Sequence, residues 1–393
     1  MNNVFTQLLW ETRSRSRVVG LALASLLVMT IGCKRQVIDK DDLRHFQQVN
    51  LVANSWNYGP KLKDTTLLNA WGLAFSPGGI AWVNSNGAGV SELYTAEGAK
   101  LRPAVLIPSP TDTMGGKPSG IVFSGGKGFK LSNGQGALFL FVNEDGVLSG
   151  WNAAANNKAL KIKDNSATSE YKGLAIASSG GANYIYAANF KTGKIDVWDT
   201  TWASVSMPFK DPSIPAGFAP FNIQAIGSWL YVSYAKVGPD GDDVKGPGNG
   251  FVSIFTTNGT FVRRFASRGT LNSPWGLTIA SPGFLEENDM STDGSGDASG
   301  KAGQIINTIH QFFDKAQSTI LVGNFGDGTI NVFTLDGTFQ GHLQSHNKAI
   351  VIDGLWALSF PPSTATTVDP KRLYFTAGPN DENDGLFGYL IKQ

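Results

Sequence analysis

One cysteine, four histidines and five methionines in 393 residues leave little room for thiol or imidazole chemistry. A lone Cys33 excludes an intrachain disulfide. His45, His310, His342 and His346 are scattered, which argues against a His-ligated transition-metal site. Charge is scarce too: charged residues make up 16% of the chain, against a usual ~25%. With 32 Lys and Arg against 31 Asp and Glu, no basic footprint for nucleic acid exists. The nucleophile-elbow pattern Gly-x-Ser-x-Gly is absent, and no Ser-His-Asp triad can be assembled. Gly116-Lys117 lacks the frame of a phosphate-binding loop.

Glycine, in contrast, is abundant, at 47 residues against a usual ~7% of a chain. Its abundance follows a repeat. Trp71-Gly72-Leu73-Ala74-Phe75 opens one copy, and Gly120-Ile121-Val122-Phe123 the next. Openings at Gly173-Leu174-Ala175-Ile176, Asn222 to Ile226, Trp275-Gly276-Leu277-Thr278-Ile279 and Leu355 to Phe360 follow. A second strand ends each time near an Asn or Ala, as at Asn84, Asn143, Asn189 and Asn324. Aromatic-ended third strands follow, such as Val90 to Tyr94 and Val147 to Trp151. The next link is nearly literal: Phe255-Thr256-Thr257-Asn258-Gly259-Thr260 matches Phe333-Thr334-Leu335-Asp336-Gly337-Thr338. Asn-Gly and Asp-Gly between apolar runs mark tight hairpins, because Gly accepts positive φ at no steric cost. Short strands recurring every roughly 50 residues predict an all-β, six-bladed β-propeller. The sixth copy stops at Gln393 one strand short, while Gln48 to Ala53 reads as a strand without a sheet. That N-terminal strand is therefore expected to complete the last blade, since ring closure removes an open edge.

The propeller is assigned to residues 47–393, with an interruption at about 281–318. This insert carries the low-complexity run Ser291 to Gly300 and a weakly helical pattern over Lys301 to Ala316. Residues 1–33 read as a signal peptide: Arg13, Arg15 and Arg17 precede an apolar run from Val18 to Ile31. The run ends Thr30-Ile31-Gly32-Cys33, which resembles a bacterial lipobox with Thr30 where Leu is typical. Cys33 is thus the expected lipidation site, and the polar residues 34–46 a tether. The expected location is extracytoplasmic, anchored to the bacterial envelope, with outer membrane preferred because Lys34 is not the Asp of inner-membrane retention. Membrane contact is expected only through the lipid, and the domain is read as monomeric.

In a propeller, loops after the second strands and links into the first strands share one face, the mouth of the central channel. The first set here carries Asn84, Asn86, Asn143, Asp145, Asn189, Asp240, Asp242, Asp243, Asn324, Asp327, Asp381 and Asp384. The links carry Asn69, Trp71, Tyr171, Phe221, Trp275 and Trp356. A ring of oxygens with aromatics predicts a ligand site holding a small polar molecule or glycan, or a docking site for an envelope protein. Its expected members are Asn84, Asn143, Asn189, Asn324, Asp327, Trp71, Trp275 and Trp356. Turn chemistry competes with that reading, since Asn and Asp bond their own backbone. The alternative is a metal-dependent hydrolase or lactonase with Asn143, Asn189, Asn324 and Asp327 as ligands and Ca²⁺ as the candidate cofactor. Asn380-Asp381-Glu382-Asn383-Asp384-Gly385 begins like a calcium loop, but Ile391 stands where the bidentate Glu is required. Asp240-Gly241-Asp242-Asp243 reads as a solvated acidic loop in preference to a cation site.

Several longer motifs are similar to one family. Asn69 to Phe75, Gly246 to Val252, Arg263 to Ser267, Leu271 to Leu277, Gly323 to Gly328 and Tyr374 to Glu382 resemble secreted bacterial six-bladed propellers of the NHL- and TolB-like kind. The resemblance runs from about Gln48 to Tyr389. It implies the fold and export from the cytoplasm, and it brings no reaction and no catalytic residue.

Overall fold

The computed structural model describes residues 38–286 and 319–393. The signal peptide, Cys33 and the expected helix at Lys301 to Ala316 lie outside the described residues. From Asp39 to Gln393 the chain forms one compact unit. It is a six-bladed β-propeller.

Blade 1 consists of Ala70–Phe75, Ala81–Ser85, Val90–Tyr94 and Val105–Leu106, from the channel outwards. Blade 2 follows with Pro118–Phe123, Phe139–Asn143, Val147–Trp151 and Leu160–Asp164. Blade 3 has three strands, Tyr171–Ser179, Ala182–Asn189 and Lys194–Asp199. Blade 4 is Phe218–Ile226, Trp229–Lys236, Gly250–Thr256 and Phe261–Ser267. Blade 5 is Pro274–Ile279, Thr319–Asn324, Ile330–Thr334 and Phe339–His342. Blade 6 contributes Leu355–Ser359, Leu373–Ala377 and Leu386–Lys392. Phe46–Ala53 then pairs antiparallel with Leu386–Lys392, from Phe46 opposite Lys392 to Ala53 opposite Leu386. The expected closure is present. Both ends of the domain share one sheet, so the ring has no open edge.

Apolar side chains of successive blades interleave in slabs. Trp82, Leu93, Phe139, Phe141 and Trp151 fill the gap between blades 1 and 2. Tyr94, Tyr374 and Phe387 lock blade 1 to blade 6. Within the segment expected as a tether, Leu43 and Phe46 are buried.

A feature repeated in all six innermost strands shapes the channel. The pairing register slips at Ala70/Leu73, Pro118/Ile121, Tyr171/Gly173, Pro220/Asn222, Pro274/Gly276 and Leu355/Leu358. A bulge leaves a residue unpaired and re-aims its side chain. The residue at the slip is Trp71, Ser119, Lys172, Phe221, Trp275 or Trp356 in turn. The glycine after it is required by close approach. A Cβ on Gly72 would sit 2.2 Å from Ser119 O of the next blade, and one on Gly120 2.6 Å from Leu174 N. Blade 4 has Asn222 in place of glycine, and its Nδ2 donates to Trp275 O of blade 5 at 2.7 Å.

Deleting residues 47–54 should abolish the single cooperative unfolding transition or lower its midpoint steeply, because blade 6 then exposes its Leu386–Lys392 edge. A truncated protein with an unchanged melting curve would sink the closure argument.

Candidate functional site

Four of the six bulged residues are aromatic, and they meet on the channel axis with Phe190 and Phe325. Trp356 is sandwiched: Trp71 stacks on it at 3.7 Å between centroids, and Phe325 at 3.8 Å, both nearly parallel. Trp275 approaches Trp356 edge-on at 6.0 Å. Such pairs contribute roughly 0.5–1.5 kcal/mol each beyond their buried area.

Of the two bulged residues that are not aromatic, Ser119 and Lys172, only Lys172 is charged. Its side chain is almost wholly buried, and its Nζ lies 2.5 Å from Glu144 Oε1, 2.7 Å from Glu170 Oε1 and 3.3 Å from Asp242 Oδ1. It also stands 5.5 Å from the centroid of Trp71 and 5.9 Å from that of Phe190. Burial pulls the ammonium's pKa down, yet Glu144 and Glu170 outweigh it and hold the group well above its ordinary value. The three carboxylates around it favour the charged ammonium over the neutral amine.

Above the rings opens a cleft of ≈ 410 Å³. Links into the first strands supply Asn69, Lys117 and Lys172 to its wall, and loops after the second strands supply Asn86, Glu144, Asp242, Asp243, Lys245, Phe325 and Glu382. The two loop sets do share one face. Glu144 is oriented by Asn86, whose Nδ2 donates to Oε2 at 2.8 Å. Glu382 accepts from Asn69 Nδ2 at 2.7 Å, and Asn69 Oδ1 in turn accepts from Trp356 Nε1 at 2.8 Å. Burial pushes the Glu382 carboxyl up, and the neighbouring Glu144 charge pushes it further. Burial likewise raises Asp243, against a hydrogen bond from Ser273 and the pull of Lys172 and Lys245.

Glu382 reaches the cleft from a costly turn. Asn380, Asp381 and Glu382 all have left-handed backbones, with φ of 59°, 49° and 64°. Asn and Asp tolerate this region and Glu does not, at roughly 1–2 kcal/mol per residue. Strain of this kind concentrates at functional sites.

The expected amide ring is not assembled. Asn143 Nδ2 donates to Pro108 O at 2.9 Å, and Asn324 Nδ2 to Thr270 O at 2.7 Å, so each clamps the link entering its own blade. Asn84 reaches the next blade at Ser119 O, 3.1 Å away. Asn189 Oδ1 accepts from the Glu170 backbone N–H, and its Nδ2 donates to Asp196. Asp327 caps its own turn at Thr329 and accepts from Asn272. Asn143 and Asn189 thus serve separate blades, while Asn324 and Asp327 bond each other within blade 5, Asn324 Nδ2 donating to Asp327 Oδ1 at 3.2 Å. Among the described residues no group of three or more His, Cys, Asp or Glu is arranged to hold a metal ion. Asp384 fastens the closing strand, accepting from Asn54 at 2.6 Å and Tyr58 at 2.7 Å, and those bonds hold its carboxyl low.

Trp71 and Trp356 line the cleft but are each only 1% exposed, and Trp275 is buried beneath. Their faces are covered by one another, so they seal the channel and offer no platform for stacking a sugar. The acidic loop Asp240 to Asp243 is not simply solvated, since Asp242 and Asp243 turn into the cleft. Lys172, Glu144, Lys245 and Glu382 were not anticipated. The signal for Lys172 lies in the repeat: aligned on Trp71-Gly72 and Trp275-Gly276, Lys172-Gly173 carries the one charged residue of the column.

No protein-family model matches the chain. Protein L690 of Acanthamoeba polyphaga mimivirus is 32% identical over 362 residues, covering 88% of this chain and 86% of its own. Protein R648 of the same virus is 30% identical, covering 87% and 79%. The chain belongs to one family with these viral proteins. They lend no support to the bacterial and secreted part of the resemblance. Among solved structures, a streptogramin B lyase covers 89% of this chain and 98% of its own, with a TM-score of 0.48 and 13% identity. That likeness is one of overall fold.

Replacing Lys172 by Met should cost about 3 kcal/mol in urea unfolding, because Glu144 and Glu170 lose their cation. Adding Glu144→Gln should recover part of the loss, and no recovery would refute the charge balance. For Glu382 the sign follows from its raised carboxyl. An ionised group that the fold disfavours costs stability above its raised pKa and nothing once protonated. Glu382→Gln should therefore be more stable than the parent at about pH 7, with the advantage fading towards about pH 4. Parallel pH profiles for parent and variant would contradict this.

Proposed function

We propose that the chain is a binding propeller whose channel mouth holds a small polar ligand. The observation that carries this reading is an unanswered donor in the cleft wall: Trp71 Nε1 is buried and has no hydrogen-bond partner among the described residues. Leaving such a group unsatisfied costs roughly 1–3 kcal/mol, so a fold that keeps it beside an open cleft is arranged for an occupant. Clefts of this size suit small molecules. The sealed floor makes the mouth a cup, which directs the ligand to the charged wall. Sugar stacking finds no free ring face, so a glycan would have to bind through its hydroxyls alone. A metal-dependent hydrolase is the second reading; Asn189, Asn324 and Asp327 among its expected ligands are engaged within their own blades.

The test is a thermal-shift screen of the intact protein against sugars, amino acids, carboxylates, amines and Ca²⁺. A ligand present at a hundredfold its Kd stabilises by about 2.7 kcal/mol, which moves the midpoint by a few degrees. A shift with an organic polar compound that is lost in Asp243→Asn supports the reading. A shift with Ca²⁺ alone, reversed by chelator, would replace it by the metal reading. No shift with any class would refute both.

A further inference from the structure

The cleft wall carries unpaired charge of both signs. Lys117 and Lys245 make no ion pair among the described residues, and neither do Asp243 and Glu382, whereas Lys172 is already answered by Glu144 and Glu170. Lys245 Nζ stands 4.3 Å from the centroid of Phe325, the outer ring of the stack that Lys172 approaches from Trp71. A cation thus stands at either end of Phe325, Trp356 and Trp71. One of them is neutralised by the protein and one is not. The same cleft holds Glu382, on its strained turn, and Asp243, two residues before Lys245 in the loop of blade 4. Trp71, 1% exposed, adds an indole N–H without an acceptor.

A ligand of single sign would satisfy half of these groups and leave the other half desolvated beneath it, which is costly. A neutral polyol would answer neither sign. We propose that the ligand is a small zwitterion of amino-acid size. Its anionic group meets Lys245, an acceptor on it takes the Trp71 N–H, and its cationic group meets Glu382 and Asp243. Both raised carboxyls fit this assignment, since an incoming cation would restore the charge that burial disfavours. The inference rests on the reading of the mouth as a binding site.

The experiment uses the intact protein and the common amino acids with glycine betaine as probes, titrated by calorimetry. The best binder is then compared with its N-acetyl form, which lacks the cation, and its amide, which lacks the anion. Each blocked form should bind about tenfold more weakly or worse, the loss of one charge-assisted hydrogen bond. Lys245→Met should erase the preference for the free acid over the amide, and Asp243→Asn should reduce that for the free amine. The indole N–H resonance of Trp71, identified by its loss in Trp71→Phe, should move on binding. If a blocked form, a sugar or a simple amine binds as well and moves that resonance, the zwitterion is wrong and the binding site stands. If nothing tested moves it, both are overturned.

Discussion

The close approach of consecutive innermost strands is the constraint on which the rest of this molecule depends. Inner strands of neighbouring blades come so near that a single Cβ on Gly72 or Gly120 would collide with the backbone of the next blade. Such proximity is tolerated where the side chain is hydrogen, where Asn222 converts the contact into a hydrogen bond, or, in blade 6, where Ala357 keeps it to a methyl group. Each strand bulges at this point, and the bulge turns one residue per blade away from the ladder. Ring closure, channel width and the aromatic hub follow from the same repeated slip.

Because the hub is built from bulged residues, its composition is free to vary while the ladder is preserved. Three positions hold Trp and one Phe, which stack into a plug. Blade 3 places Lys172 there instead, and a buried ammonium demands counter-charges. Glu170 comes from the link immediately before it, and Glu144 from the neighbouring blade. Asn189 and Asn86 hold those two carboxylates in place, one through the backbone and one through the side chain. The charged departure from the aromatic rule thus recruits a polar cluster, and that cluster is one wall of the cleft. The opposite wall depends on two loops that break the repeat: the long loop of blade 4 carrying Asp242, Asp243 and Lys245, and the left-handed turn of blade 6 carrying Glu382.

The asparagines at the second-strand ends illustrate how the same residue type reads two ways. They lie on the mouth side of the propeller, as their spacing requires. Their amides nevertheless satisfy backbone groups of the incoming links, which would otherwise be buried without partners. Asn is suited to that work because it offers a donor and an acceptor on a short stem. Residues that fasten and residues that bind are therefore neighbours in sequence and separate in the cleft.

Periodicity alone determined the all-β class, the six blades, the closing strand and the face on which the mouth lies. These depend on local signals: strand patterning, Gly-containing hairpins and a copy that ends one strand short. Which side chains enter the mouth was decided only by tertiary structure. A one-residue slip in register, invisible to composition, selects Lys172 over Tyr171 and Trp71 over Ala70. Pairing between Lys172, Glu144 and Glu170, or between Trp356, Asn69 and Glu382, joins residues far apart in the chain. Such pairs form where neighbouring strands meet around a closed ring, and no pattern along a single strand carries that information.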